Sequence, residues 1–231
     1  MKKFLVIGGS SGIGRAVVKQ LSDKGHEVFA TYNTTSPLDD YSNVQFFPLN
    51  ILDETLDFSV IPNELDGLVY CPGAIDLQPF SKIAPQAFID DFNLQVVGAV
   101  KVIQACINAL RKGKGSVVLY STVANQMGFK YHSLVAASKG AIEGLTKSLA
   151  SEYAPKVRFN AVAPSLTATP LASKFLGSDA KVEANAKTHP LQRIGIAEDI
   201  ANITTFLLSD QSSWITGQVM HVDGGLSTLK M

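Results

Sequence analysis

A glycine-rich stretch near the start of the sequence has the residue types and the spacing of an anion-binding turn. It reads Gly8-Gly9-Ser10-Ser11-Gly12-Ile13-Gly14. Glycines in such a turn expose backbone N–H groups to an anion, and the N-terminus of a following helix adds partial positive charge. The stretch therefore predicts a phosphate cradle, whose candidate contacts are Gly8, Ser10, Ser11, Gly12, Ile13 and Gly14.

Two elements are predicted to position this turn. Residues 4–7 are apolar without interruption, which is typical of a strand buried on both faces of a parallel sheet. Residues 15–24 carry apolar side chains at helical spacing, and Gly25 supplies a stop signal. A plain loop could contain the same glycines, but a strand before them and a helix after them are the context that a phosphate cradle requires.

Strand-like and helix-like segments alternate along the rest of the chain. Further strands are predicted at residues 27–32, 44–49, 65–71, 115–120 and 157–162, and long helices at residues 85–110 and 134–153. This alternation predicts the α/β class with a parallel sheet. Residues 171–190 are polar, rich in small residues and weakly periodic, and we interpret them as a mobile substrate lid.

Composition and charge limit the classes of function. The 231 residues are 46% hydrophobic and include 20 basic and 20 acidic side chains, which fits one domain with a sizeable core. This charge balance argues against a nucleic acid or a membrane surface as partner. Cys71 and Cys106 match no metal or disulfide pattern. No apolar run reaches the length of a membrane span and no secretory segment precedes the first strand, so a cytoplasmic protein is expected.

Motifs at both ends of the chain carry a family resemblance. Beside the Gly-x-x-x-Gly-x-Gly spacing, the C-terminal part contains Arg193-Ile194-Gly195, Glu198-Asp199-Ile200-Ala201 and Val222-Asp223-Gly224-Gly225. Residues 4–225 thereby resemble the short-chain dehydrogenase/reductase family. The resemblance implies a single doubly wound Rossmann-type domain over residues 1–231, with about seven parallel strands and helices on both faces. It also implies a nicotinamide-dependent oxidoreductase that acts on a small-molecule substrate.

The segment after the second predicted strand indicates which nicotinamide cofactor is bound. A family member that prefers NAD has an acid at the end of this strand, where this sequence has Tyr32 and no acid before Asp39. Asn33 and neighbouring hydroxyl side chains are possible donors to a phosphate, so NADP is favoured over NAD. The resemblance implies further cofactor contacts from Asn50, Ile51, Gly73, Lys139, Pro164, Ser165 and Thr167.

The catalytic pattern of the family is a Tyr-x-x-x-Lys pair on the helix after the fifth strand. In the family the tyrosine donates a proton, the lysine holds the nicotinamide ribose, and a serine and a helix asparagine complete the site. By this pattern Lys139 matches the lysine, Thr122 the serine and Asn93 the asparagine. Val135 stands at the tyrosine position, and valine cannot donate a proton, so a reductase that uses this position is excluded.

Three interpretations of the missing tyrosine remain open. A displaced group, Tyr131, His132 or Thr122, supplies the proton for reduction of a C=C bond conjugated to a thioester. Alternatively, Tyr131 or His132 is the acid in the reduction of a carbonyl. In the third interpretation the protein binds NADP without turnover, as a sensor or scaffold.

Small residues within residues 134–153, followed by an apolar C-terminal segment, resemble the faces that form oligomers in the family. A homotetramer is therefore expected.

Overall fold

A seven-stranded parallel sheet forms the centre of the molecule in a computed structural model, which describes residues 1–37 and 41–230. In chain order its strands are β1 (Lys3–Ile7), β2 (Glu27–Tyr32), β3 (Val44–Pro48), β4 (Gly67–Tyr70), β5 (Ser116–Tyr120), β6 (Arg158–Pro164) and β9 (Val219–Val222). The strand order is β3-β2-β1-β4-β5-β6-β9, while β7 (Thr167–Ala168) and β8 (Gly195–Ile196) pair in a small separate sheet. The predicted doubly wound fold is confirmed.

Helices cover both faces of this sheet. They are α1 (Gly12–Asp23), α2 (Pro85–Phe92), α3 (Gly98–Gly113), α4 (Ser133–Tyr153), α5 (Asp179–Lys187) and α6 (Ala197–Leu208). Alternate residues of β1 enter two separate hydrophobic clusters: Leu5 and Ile7 pack with α3 and α4, whereas Phe4 and Val6 pack with α1 and α6. An apolar run of this kind follows directly from burial on both faces.

The long helix predicted at residues 85–110 is interrupted. Between α2 and α3 the chain makes a π-helical turn at Asn93–Val97, in which the Gly98 N–H donates to the carbonyl of Asn93. The Tyr70 hydroxyl donates to the Leu94 carbonyl at 2.5 Å, so a side chain replaces a backbone donor at this point of the helix. A Cβ on Gly98 would lie 2.2 Å from the Tyr70 oxygen, which explains why a glycine stands here.

Within the described part of the chain, one helical segment is long and apolar enough to cross a membrane. This segment, Pro85–Gly113, has a mean hydropathy of 1.3. In the fold, 44% of the most apolar part of this segment is buried, and α3 packs Val102, Ile103 and Cys106 against the sheet. A helix of the protein core can have the same length and composition.

The segment interpreted as a lid is largely helical. It contains a 3-10 turn at Pro170–Phe175 and then α5, which Ser178 caps by accepting a hydrogen bond from the Lys181 N–H. Lys174 Nζ donates to the carbonyl of Ile75, in the loop after β4. The segment therefore contacts the loop that follows a central strand.

Candidate active site

The glycine turn between β1 and α1 has the geometry of an anion cradle. Gly8 and Gly12 have φ angles of +76° and +50°, a region that side chains with a Cβ disfavour. A Cβ on Gly14 would lie 2.1 Å from the Gly8 carbonyl oxygen, so only glycine allows α1 to start this close to β1. Ser11 is the N-cap of α1, but its side chain accepts no hydrogen bond from the described first-turn amides. These amides are available to an anion.

The end of β2 adjoins this cradle, since the Gly9 N–H donates to the Thr31 carbonyl, and the turn after β3 adjoins the end of β2. Tyr32 is half-buried and Asn33 is exposed, whereas Asp39 lies outside the described residues. Asn50 donates through its side chain to Asp53 at 2.7 Å, and Ile51 is buried in the core cluster that contains α3. Of these candidates, Asn33 has its side chain open to solvent, whereas the Ile51 side chain packs in the core.

Lys139, on α4, lies beside the loop after β4. A Cβ on Gly73 would be 3.6 Å from Lys139 Nζ and 3.3 Å from Gln95 Oε1, so the ammonium and the amide oxygen flank this glycine. Desolvation by the surrounding protein lowers the pKa of Lys139 to about 8, although the negative charge of Asp91 acts in the opposite direction. A lysine with this pKa is a competent proton donor near neutral pH.

The polar residue beside Lys139 is Gln95 rather than Asn93. Asn93 is exposed in the π-helical turn, whereas Gln95 has 1% of its surface exposed. The Gln95 amide nitrogen donates to both carboxylate oxygens of Asp91, at 2.7 and 2.8 Å. Gln95 Oε1 is buried and has no hydrogen-bond partner among the described residues. This oxygen is available to accept a hydrogen bond from a hydroxyl or a water beside Lys139.

The hydroxyl side chains at the end of β5 have different environments. Thr122 is half-buried, and its Oγ1 accepts a hydrogen bond from the Ala124 N–H at 3.3 Å. Ser121 is buried, and its hydroxyl donates to the Glu143 carboxylate at 2.5 Å. The Asn125 side-chain amide donates to the same carboxylate at 3.0 Å. Thr122 is therefore the more exposed hydroxyl of this pair.

Val135 lies one helical turn before Lys139 on α4. Its side chain is buried, with 5% of its surface exposed. Positions one turn apart share a face of a helix, so an apolar side chain occupies the place next to the lysine. No proton can come from this position.

Tyr131 and His132 precede α4. Tyr131 is 54% exposed and has a φ of +69°, a strained backbone conformation for a tyrosine. His132 is half-buried, and its Nδ1 lies 2.8 Å from the Lys130 carbonyl oxygen. Because a carbonyl only accepts, Nδ1 carries the proton, and Nε2 can donate only when the ring is charged.

The loop after β6 contains a contact that the sequence did not indicate. Ser165 Oγ lies 2.9 Å from Nε2 of His189, and Nδ1 of that ring lies 2.9 Å from the Asn185 carbonyl oxygen. Nδ1 must therefore donate, and in the neutral ring Nε2 accepts from the serine. His189 is 2% exposed, and Thr167 Oγ1 donates to the Ser165 carbonyl at 3.0 Å. Ser165 thus ties the loop after Pro164 to the residues that follow α5.

The contact between Ser165 and His189 should be visible in stability measurements. Ser165→Ala is expected to lower the free energy of unfolding by about 1–3 kcal/mol, because buried Nε2 loses its partner. A further His189→Leu change should recover part of this loss, because an apolar side chain needs no partner. Urea unfolding of the two single variants and the double variant measures the coupling, and strictly additive losses would contradict it.

Comparison with known proteins assigns the chain to a family. A family model described as enoyl-(acyl carrier protein) reductase matches residues 8–227. The chain belongs to the short-chain dehydrogenase/reductase family. L-xylulose reductase of Bos taurus is 33% identical over 235 residues, which cover 97% of this chain and 96% of that protein.

Solved structures agree with this assignment. The ligand-free aldohexose dehydrogenase of Thermoplasma acidophilum superposes with a TM-score of 0.90 at 29% identity, covering 99% of this chain and 95% of the other. ElxO with NADP bound gives a TM-score of 0.90 at 27% identity, covering 99% of this chain and all (100%) of ElxO. The short-chain dehydrogenase/reductase described here is an NAD(P)-dependent oxidoreductase.

Proposed function

We propose that the protein is an NADP(H)-dependent oxidoreductase with a non-standard proton donor, which reduces a carbonyl or an activated C=C bond of a small or acyl substrate. One observation supports this most: half-buried Lys139 lies beside Gly73 while buried Val135 occupies the preceding turn, the family's tyrosine position. The site retains the lysine and a phosphate cradle without the usual acid.

The residues present fit a dinucleotide. The glycine turn leaves the first amides of α1 available to the pyrophosphate, and Gly73 keeps side-chain atoms out of the space beside Lys139. The nicotinamide would supply the hydride. Asn33, exposed after β2, is the proposed contact of the 2′-phosphate, and the likeness to NADP-bound ElxO supports NADP over NAD. Asn50, Pro164, Ser165 and Thr167 remain proposed contacts.

We infer that Lys139 itself is the proton donor. Its lowered pKa leaves it charged at neutral pH yet ready to release a proton to an oxygen that gains charge as hydride arrives. The resulting neutral amine is then reprotonated from solvent. Tyr131, which is largely exposed, and His132, whose Nδ1 is bound to a carbonyl oxygen, are the alternative donors. Thr122 is proposed to bind the substrate oxygen.

The substrate is proposed to enter beside the segment of residues 168–179. A cavity of about 640 Å³ opens there, lined by residues that include Thr169, Pro170 and Leu176. A Cβ on Gly12 would be 3.4 Å from Thr169, so the cavity borders the glycine turn. L-xylulose reductase supports a carbonyl substrate, and the description of the matching family model supports an enoyl thioester. Residues 171–190 are the proposed lid.

Replacing each candidate donor identifies the acid. Tyr131→Phe, His132→Gln and Thr122→Val are each expected to retain NADPH oxidation with a ketone or an enoyl thioester, with the greatest loss for Thr122→Val. In the wild type, kcat/KM should be constant below a pH of about 8. Above it, kcat/KM should fall about tenfold per pH unit, because the acid must be protonated. Loss of turnover in Tyr131→Phe would make that tyrosine the donor.

Val135 at the position of the family's catalytic tyrosine also supports a second candidate function. A protein that binds NADP without turnover, as a sensor or scaffold, needs the cradle and the lysine but no acid. Tight NADPH binding without oxidation by any ketone or enoyl thioester in a broad panel would favour this function over the first.

We further propose a homotetramer. On α4, Ala137, Gly140 and Gly144 are exposed, and a Cβ on Gly144 would contact nothing within 4 Å, so another backbone could approach closely. Light scattering that gives the mass of a monomer would refute this proposal. The cytoplasmic location stays a prediction.

A further inference from the structure

A buried carboxylate lies close to Lys139. Asp91, near the end of α2, has 7% of its surface exposed. Both of its oxygens accept hydrogen bonds from Gln95, and Oδ2 also accepts one from the Ser138 hydroxyl at 2.5 Å. Neutral donors thus satisfy the carboxylate, as burial of a charge requires.

The two partners of Asp91 are both neighbours of Lys139. Ser138 precedes Lys139 in α4, and Gln95 lies with Lys139 Nζ around Gly73. Asp91 therefore accepts hydrogen bonds from two neighbours of the lysine, and its bond with Ser138 links α2 to α4. The ammonium itself is not paired with this carboxylate at ion-pair distance among the described contacts.

We propose that Asp91, held by Gln95 and Ser138, is a positioning residue for Lys139 that supplies the negative charge needed to keep its ammonium in a desolvated site. This inference rests on the proposed role of Lys139, which it deepens. A buried cation without a nearby anion loses its proton, because desolvation favours the neutral amine. The negative charge of Asp91 opposes that effect, and opposite charges attract more strongly in the low dielectric of a protein interior than in water.

The other titratable groups around Lys139 do not supply this charge. Cys71 approaches from the end of β4, and burial raises the pKa of its thiol to about 12, so the thiol is neutral at neutral pH. Glu143 lies one turn further along α4, where Ser121 and Asn125 bind its carboxylate. Asp91 is thus the anion from a neighbouring helix that acts on Lys139.

Titration of Lys139 in the ligand-free protein tests the role of Asp91 without any assay of activity. NMR of protein labelled with carbon-13 at the lysine ε position follows the charge, and the spectrum of Lys139→Met assigns the signal. Asp91→Asn is expected to lower the half-titration pH of Lys139 by about one unit, because an opposite charge is removed. Ser138→Ala is the matched control: it removes a hydrogen bond to Asp91 and keeps the charge, so its shift should be much smaller.

Two results would overturn the inference: no shift in Asp91→Asn, or an equal shift in Ser138→Ala. If Asp91→Asn does not fold, the double variant Asp91→Asn/Lys139→Met should fold better, since it removes both charges. A double variant no more stable than Asp91→Asn would contradict the charge role. The proposed function fails separately, when Lys139→Met leaves NADPH binding and turnover unchanged.

Discussion

Lys139→Met is expected to reduce NADPH-dependent turnover by about 10²–10⁴-fold, the usual contribution of a general acid. Methionine fills a similar volume but can neither donate a proton nor carry a charge beside Gly73. Binding of NADPH should weaken as well, because the family pattern implies that the ammonium would hold the nicotinamide ribose. Steady-state kinetics gives the first effect and a fluorescence titration the second.

Lys147→Met is the matched control for this variant. Lys147 lies on the same helix and is exposed, so both its kinetics and its NADPH affinity should equal those of the wild type. The pH dependence adds a further criterion: the decline of kcat/KM above a pH of about 8 should be absent in Lys139→Met. A variant that keeps both wild-type turnover and this decline would rule out Lys139 as the acid.

Gly14→Ala is expected to have the second large effect, on both stability and binding. Its methyl group would lie 2.1 Å from the Gly8 carbonyl oxygen and 3.2 Å from the Gly9 Cα, so the turn and α1 must move apart. Overpacking against backbone of this severity costs about 3 kcal/mol. The first amides of α1 would move with the helix, and NADPH binding should be largely lost.

Gly177→Ala provides the control for the glycine turn, since its Cβ would meet no atom closer than 3.9 Å. It should change the midpoint of urea unfolding little and leave NADPH binding intact. Equal midpoints of urea unfolding for Gly14→Ala and Gly177→Ala would show that the stability of the fold does not require the close approach of α1 to β1.

The sheet could be predicted from the sequence because strands buried on both faces are uninterrupted apolar runs. The apolar runs of β1, β4 and β5 reflect helices on both sides, and the glycine turn stands between a strand and a helix, the context that a phosphate cradle requires. Boundaries differ from the predicted ones by a few residues, since termini of helices and strands depend on local hydrogen bonds.

The identity of the polar residue beside Lys139 could not be predicted in the same way. A helical pattern extrapolated through residues 85–110 assumes a constant repeat, but the π-helical turn changes the phase. Asn93 consequently faces solvent, while Gln95 is buried. Asp91 and Gln95, one turn apart in an otherwise apolar pattern, were the signal that could have indicated the buried pair.

The link between Ser165 and His189 depends on tertiary structure. These residues are far apart in the chain, and the loop after β6 meets the end of α5 only in the folded protein. The same holds for the predicted lid. The sequence shows its polar composition, but its helix and its contact with Ile75 are known only from the folded structure.

A fluorescence titration of the wild-type protein with NADPH, with NADH in parallel, tests the central claim most directly. The proposed site predicts tight binding of NADPH and weaker binding of NADH, with bound NADPH oxidised on addition of a ketone or an enoyl thioester. If neither nucleotide bound, the glycine turn and Lys139 would not form a cofactor site, and the proposed reaction would be contradicted.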